Sequence, residues 1–188
     1  MLGACSNKPP DDKDYVSKLR TERVEKDDLF RKDNEPIPEN RKGDVLPLLY
    51  FPIDPEYNVP ASLTPSHDDT VVQIQTSTGT PRPMRRAGTL EFSLKGQPMK
   101  LMAFVDLSDQ NLAHLMVMFS DLTSGTETYP AGRYINLNRT ASGVYELDFN
   151  RAYNPYCYYN ASYECPYPPA ENRLQVPIHA GERMKSEK

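Results

Sequence analysis

Proline is the strongest constraint on what this chain can fold into. Pro47, Pro52, Pro55, Pro60 and Pro65 recur roughly every five residues around the apolar run LPLLYF, and the chain holds 18 prolines among 188 residues. A proline has no N–H to donate to a helix or to a strand ladder. Residues 45–65 therefore read as an edge strand or an irregular packing segment. A chain so interrupted is built from short elements and stiff loops, which favours an all-β domain over a helical bundle.

Downstream, the apolar residues take the period of two expected of half-buried strands. In VVQIQTST (71–78) Val72, Ile74 and Thr76 share a face, and in TLEFSL (89–94) Leu90, Phe92 and Leu94 do. Lys95-Gly96-Gln97 marks a tight turn before MKLMAFVDL (99–107). RYINL (133–137) and VYELDF (144–149) flank the turn NRTASG, and LQVPI (174–178) closes the set. LAHLMVMFSDL (112–122) reads as a strand or as a buried helix, and periodicity does not separate the two. Seven or eight short strands with close turns predict a mainly β domain, an antiparallel meander closing into a barrel or a sandwich.

The first 44 residues differ in kind. They hold 10 Lys or Arg and 11 Asp or Glu, whereas the other 144 residues hold 27 charges. Asp11–Asp33 predicts one helix, capped by Asp11 or Asp12 behind Pro9-Pro10 and ended by Asn34 and Pro36. Val16, Leu19, Arg23, Lys26 and Phe30 recur at helical spacing, with Tyr15 and Leu29 beside them. That thin apolar stripe, broken by charge, suits a helix lying on the domain surface. The expected organisation is a spacer over 1–10, a charged helix and linker over 11–44, a β domain over 45–183 and a short tail over 184–188.

A net charge of −4 with dispersed basic residues argues against nucleic acid as a partner. No stretch is long and apolar enough to cross a membrane as a helix. Leu2-Gly3-Ala4-Cys5 resembles the lipobox of bacterial lipoproteins, whose cysteine is acylated, and Ser6–Pro10 supplies a polar spacer. The charged and apolar segments that precede a lipobox are missing. The expectation is a lipid anchor at Cys5, a membrane as partner through it, and a periplasmic or cell-surface address. With Cys5 so used, Cys157 and Cys165 remain, and an even pair in an oxidising compartment reads as a disulfide. Such a bridge closes a loop of about nine residues, worth roughly 2–3 kcal/mol in the chain-entropy picture. The spacing of this pair does not match structural zinc sites. No catalytic-cysteine signature, GxSxG, HExxH, P-loop or GxGxxG is present, so the sequence implies no metal and no cofactor.

The densest chemistry lies in two stretches, 127–134 and 148–173. The candidates for ligand binding are Glu127, Tyr129, Arg133, Tyr134, Asp148, Asn150, Arg151, Tyr153, Asn154, Glu171, Asn172 and Arg173. A guanidinium reads a carboxylate or phosphate through two parallel bonds, and tyrosine offers a ring and a hydroxyl together. The same residue types also build ion-pair lattices that order loops. Two readings therefore stand side by side: a pocket for a small polar or anionic ligand or a partner, and a structural lattice. Two carboxylates such as Glu127 and Asp148 would suit hydrolysis by acid–base chemistry if they converged in a cleft. A purely structural envelope protein is the third possibility.

The motifs are also familiar as a set. DLTSGTETYPAGRYINL (121–137), DFNRAYNPYCYYNASYECPYPPAENRL (148–174) and AGE (180–182) resemble the bacterial family catalogued as domain of unknown function 1684. ERVEKDDLFRKD (22–33) and YFPIDPEYNV (50–59) are similar to its N-terminal signature, so the resemblance covers residues 20 to 183. This chain departs from the usual pattern at Tyr156 and Tyr167. The resemblance implies membership among uncharacterised proteins, many of them lipoproteins or secreted. It implies no catalytic residues.

Overall fold

The computed structural model describes residues 12–33, 35–66, 70–107 and 112–185. Seven strands form one antiparallel sheet: β1 Asn58–Pro65, β2 Val71–Ile74, β3 Arg82–Leu94, β4 Gln97–Val105, β5 His114–Phe119, β6 Arg133–Asn138 and β7 Tyr145–Asp148. Their order is β6-β5-β4-β3-β1-β7, with β2 also on β3. The ends of that order meet through the β6–β7 hairpin, where Thr140 N–H donates to Val144 O at 2.8 Å and Arg139 bridges to Tyr145. The sheet is thus nearly closed into a barrel, with a helix, α1 (Asp12–Lys32), against its outside.

β3 is the hub. Its Gly88–Phe92 part pairs with β1, its Arg82–Arg85 part pairs with β2, and β4 runs along its other edge. The prolines of β1 fit because that strand is seldom paired on both sides. Its partners on β7 stop at Ala61 and its partners on β3 start there, so Pro60 lies beyond the β3 ladder and Pro65 beyond the β7 ladder. LPLLYF is not a strand of the sheet. It runs beside the C-terminal segment, with Phe51 N–H donating to Gly181 O and Arg183 N–H to Leu49 O at 2.9 and 2.8 Å.

Alternation sorts the side chains. Leu90, Phe92 and Leu94 of β3 point inward with Leu101, Ala103 and Val105 of β4, Leu115, Val117 and Phe119 of β5, and Ile135 and Leu137 of β6. Each large apolar side chain so buried contributes roughly 1.5–3 kcal/mol. The residues between them are apolar too. Met84, Met102, Phe104, Met116, Met118 and Tyr134 form a second cluster on the outer face. A strand covered on both faces has no polar side, which is why LAHLMVMF carried no clear period. It is a strand, not a helix.

Two expected elements change. LQVPI (174–178) forms no strand; it runs irregularly beside 120–122, held by Leu174 N–H to Ser120 O at 2.8 Å and Leu122 N–H to Val176 O at 3.3 Å. Pro177 removes the donor that a longer ladder would need. VVQIQTST is a strand only to Ile74. The α1 helix lies close to its expected bounds, with Leu19 and Phe30 buried, and Asp11 lies outside the described residues. Phe30 packs with Ile37, Val45, Leu48 and Tyr159 in a third cluster that attaches the helix to the barrel.

Candidate functional site

The segment after β7 wraps over the outer face of the sheet. β7 ends at Asp148, and a single turn over Phe149–Arg151 begins with Asp148 accepting the Asn150 N–H at 3.0 Å. Tyr153 then pairs with Tyr134 of β6 through two backbone bonds of 2.9 and 3.0 Å. After a single-turn helix, Tyr156–Tyr159, the chain returns beside the tail of β2, with Cys165 O accepting from Ser77 N–H at 2.9 Å and Tyr167 N–H donating to Gln75 O at 2.7 Å. Gly132 enables the approach from the other side. Its φ is +87°, and a Cβ there would sit 2.5 Å from Phe119 O, so only glycine fits.

Most of the expected polar site is spent on holding this architecture. Arg133 is 1% exposed inside the barrel end. Its guanidinium donates to Asp121 at 2.9 Å, to Ile178 O at 2.9 Å, to Glu182 O at 3.2 Å and to Ala180 O. Burial pulls its pKa down and Asp121 opposes that pull. Asp148 accepts from Tyr15 Oη of α1 at 2.8 Å and from Arg151 Nε at 3.1 Å, and Arg151 also pairs with Glu22 of α1. Asn150 donates to Asp54 O at 2.8 Å and to Tyr15 Oη at 3.0 Å. Glu182, a charged residue of the sequence set but outside the twelve ligand-binding candidates, accepts from Lys26, from Tyr159 Oη at 2.7 Å and from the Asn154 N–H at 2.8 Å.

Asn172 has a different task. Its Nδ2 donates to Met102 O at 2.9 Å and Met118 O at 2.7 Å, and its Oδ1 accepts from Met102 N–H at 2.7 Å. It bridges β4 and β5 from outside the sheet. Its neighbours Glu171 and Arg173 are exposed and lie apart from the cleft described below. Glu127 pairs with His179 at 3.2 Å and Arg183 at 3.5 Å, and shares no partner with Asp148. The two carboxylates proposed for acid–base work therefore belong to separate clusters.

Cys157 and Cys165 are adjacent but are free thiols, so the expected disulfide is not formed in this structure. The Cys157 N–H donates to Cys165 Sγ at 3.0 Å. Tyr129 also reaches Cys157, and burial, aided by that sulfur, pushes its hydroxyl up to about 12. Cys5 lies outside the described residues. No group of three or more metal-ligating His, Cys, Asp or Glu side chains occurs among the described residues.

What remains is a cleft. Between the outer face of β3–β6, the wrapping segment and the end of α1 lies a space of about 810 Å³. Met84, Phe104 and Met116 line it from the sheet, and Tyr153, Tyr156 and Tyr163 line it from the wrapping segment. Tyr156 and Tyr163 meet edge to face with centroids 5.3 Å apart, as do Tyr134 and Tyr153 at 5.8 Å. Polar groups gather along β5 and β6. His114 Nδ1 lies 2.7 Å from Asn138 Oδ1, and Tyr153 Oη donates to Asn136 at 3.3 Å. Burial holds the Tyr153 hydroxyl up at about 12, so it is a donor at neutral pH. Of the twelve residues expected at a site, only Tyr134 and Tyr153 line this cleft. Its floor was not foreseen: Phe104 and Met116 fall in apolar runs read as strand or buried helix, and Met84 lies in the part of β3, before Thr89, for which the sequence carried no expectation.

The comparisons with known proteins add a family and a structural relative. Residues 46–183 match the family described as "Protein of unknown function (DUF1684)". An uncharacterized protein of Haloarcula marismortui, solved by solution NMR, is 35% identical with a TM-score of 0.72, covering 94% of this chain and 98% of its own. That relative is from a haloarchaeon, and the bacterial origin that the resemblance implied is not shown by these matches. No curated protein matches the chain.

Proposed function

The chain belongs to the DUF1684 family of proteins of unknown function, and from that premise we propose that it is a binding domain whose cleft takes a small amphipathic molecule. The observation that carries this reading is the cleft itself. Its volume of about 810 Å³ falls within the range of roughly 300–1,000 Å³ typical of small-molecule sites. A flat apolar body would lie on Met84, Phe104 and Met116 against the tyrosine rings. A polar end would meet Asn136, Asn138 and His114. This differs from a ligand clamped by arginines, because Arg133 and Arg151 already have carboxylate partners. Binding is favoured over hydrolysis because Glu127 and Asp148 have separate partners and neither lines the cleft. Export on a lipid anchor at Cys5 is part of the same proposal and rests on Leu2-Gly3-Ala4-Cys5 alone. Equal incorporation of labelled palmitate by the wild-type chain and by Cys5→Ser would refute it.

Anilinonaphthalene sulfonate, an amphipathic aromatic probe, tests the cleft. It is expected to bind the folded chain at a single saturable site. Met116→Trp fills the cleft from its floor and is expected to weaken that binding by about tenfold or more, a loss of roughly 1.4 kcal/mol, while unfolding stays cooperative. Unsaturable binding, or equal affinity in the variant, would overturn the reading.

A further inference from the structure

The two thiols of the wrapping segment are unequal, and the inequality has a chemical use. Cys165 is buried and clamped, its N–H donating to Ser77 Oγ at 3.1 Å and its carbonyl accepting from Ser77 N–H at 2.9 Å. Cys157 is half-buried on its single-turn helix. The Cys157 N–H donates to Cys165 Sγ at 3.0 Å, which sets the two cysteines against each other, and Tyr129 reaches Cys157. One cysteine is thus partly exposed, and the other is buried directly beside it. We propose that this pair is a thiol–disulfide exchange site for low-molecular-weight disulfides, with Cys157 as the attacking thiol and Cys165 as the resolving thiol.

The chemistry balances in two steps. The Cys157 thiolate attacks one sulfur of a disulfide RSSR; that S–S bond breaks, a Cys157–SR bond forms, and RS⁻ leaves and takes a proton from solvent. Cys165 then gives its proton to solvent and attacks the Cys157 sulfur, expelling the second RS⁻. The protein loses two hydrogens and becomes the Cys157–Cys165 disulfide, and RSSR becomes two RSH. Hydrogen bonding from Cys165, against the opposing pull of burial, lowers the Cys157 thiol to about 7, so a large fraction is thiolate at neutral pH. The Cys165 thiol is pushed up, first by its hydrogen bond to Cys157, and capping Cys157 removes that cause. Donors that hold the thiolate stabilise the reduced protein, which makes the disulfide easier to reduce than a structural staple. The inference does not rest on the proposed cleft ligand, although Cys165 is among the residues that line the cleft.

The full chain carrying Cys5→Ser, equilibrated in glutathione buffers of stepped ratio and trapped with iodoacetamide, gives the test. The pair is expected to pass from dithiol to disulfide within the range of ratios that glutathione spans. A pair that stays reduced in oxidised glutathione alone, or stays oxidised in reduced glutathione alone, overturns the proposal; the latter marks a permanent staple. In Cys165→Ser the glutathione adduct is expected to accumulate on Cys157, at a rate rising with pH through about 7. In Cys157→Ser, Cys165 is expected to react more slowly by about tenfold or more. Comparable or faster reaction at Cys165 overturns the assigned order.

Discussion

Replacing Asn172 by Ala should open a seam in the barrel. β4 and β5 are registered through Phe104 and Met116, so two residues along each strand Met102 stands opposite Met118. Such a pair would ordinarily exchange ladder bonds. Instead the Asn172 amide stands between them, with bonds of 2.9 and 2.7 Å to the two carbonyls and 2.7 Å from the Met102 N–H. Alanine leaves one strand donor and two strand acceptors without these partners. An unsatisfied buried group costs about 1–3 kcal/mol, and partial relaxation or entry of water lowers the sum to about 3–5 kcal/mol. That is a large share of a stability of roughly 5–15 kcal/mol. Urea unfolding should show a lower midpoint at unchanged slope. Hydrogen exchange should show the Met102 amide losing protection. A cost under about 1 kcal/mol with the Met102 amide still protected would mean that the strands close directly on each other. The wedge argument would then be wrong.

Arg133→Met leaves Asp121 charged and buried without its cation, and breaking one side of such a pair costs about 3–5 kcal/mol. Urea unfolding should register that loss while probe affinity at the cleft stays unchanged; lost affinity at unchanged stability would return Arg133 to the role of ligand anchor. Asp148 predicts a pH dependence. Burial raises its carboxyl above the ordinary range, against the hydrogen bonds of Tyr15 and Asn150 and the charge of Arg151. A carboxyl raised on folding holds its proton more tightly in the folded state. Its contribution to stability is then fully present below the ordinary value near about 4 and is lost as pH rises through the folded value. The stability advantage of wild type over Asp148→Asn should therefore be larger at about pH 4 than at pH 7, and a smaller advantage at acid pH would refute the assignment.

The parts of the fold that could be read from sequence were those where one local signal acts alone. Residues 90–94 of β3, 135–138 of β6 and 145–147 of β7 alternate between buried and exposed, because there one face meets the barrel interior and the other meets solvent. α1 was visible from its apolar stripe and its proline stop. The reading faltered where tertiary context decides. β1 contains two prolines yet lies between β3 and β7, because each proline sits past the end of one ladder. LQVPI has strand composition, but its neighbour across the gap is an irregular segment with few donors to share.

The site was harder for a reason specific to charged side chains. Arginine, tyrosine and carboxylates in a loop-rich stretch look the same in sequence whether they wait for a ligand or have already found one another. The difference lies in partners that are far away in the chain. Arg151 finds Glu22 at a separation of 129 residues, and Lys26 finds Glu182 at 156. Those partners come from α1, which the charge count had set apart as a leader. Once the helix is docked, its Glu22, Tyr15 and Lys26 satisfy Arg151, Asp148 and Glu182. The apolar residues show the converse. Phe104 and Met116 lie in runs with no polar face, the pattern of strands buried on both faces, which predicts that something covers the outer face. The wrapping segment covers part of it and leaves a gap. A vacancy of that kind is a difference between two areas, the face offered and the cover supplied, and no single residue type encodes it.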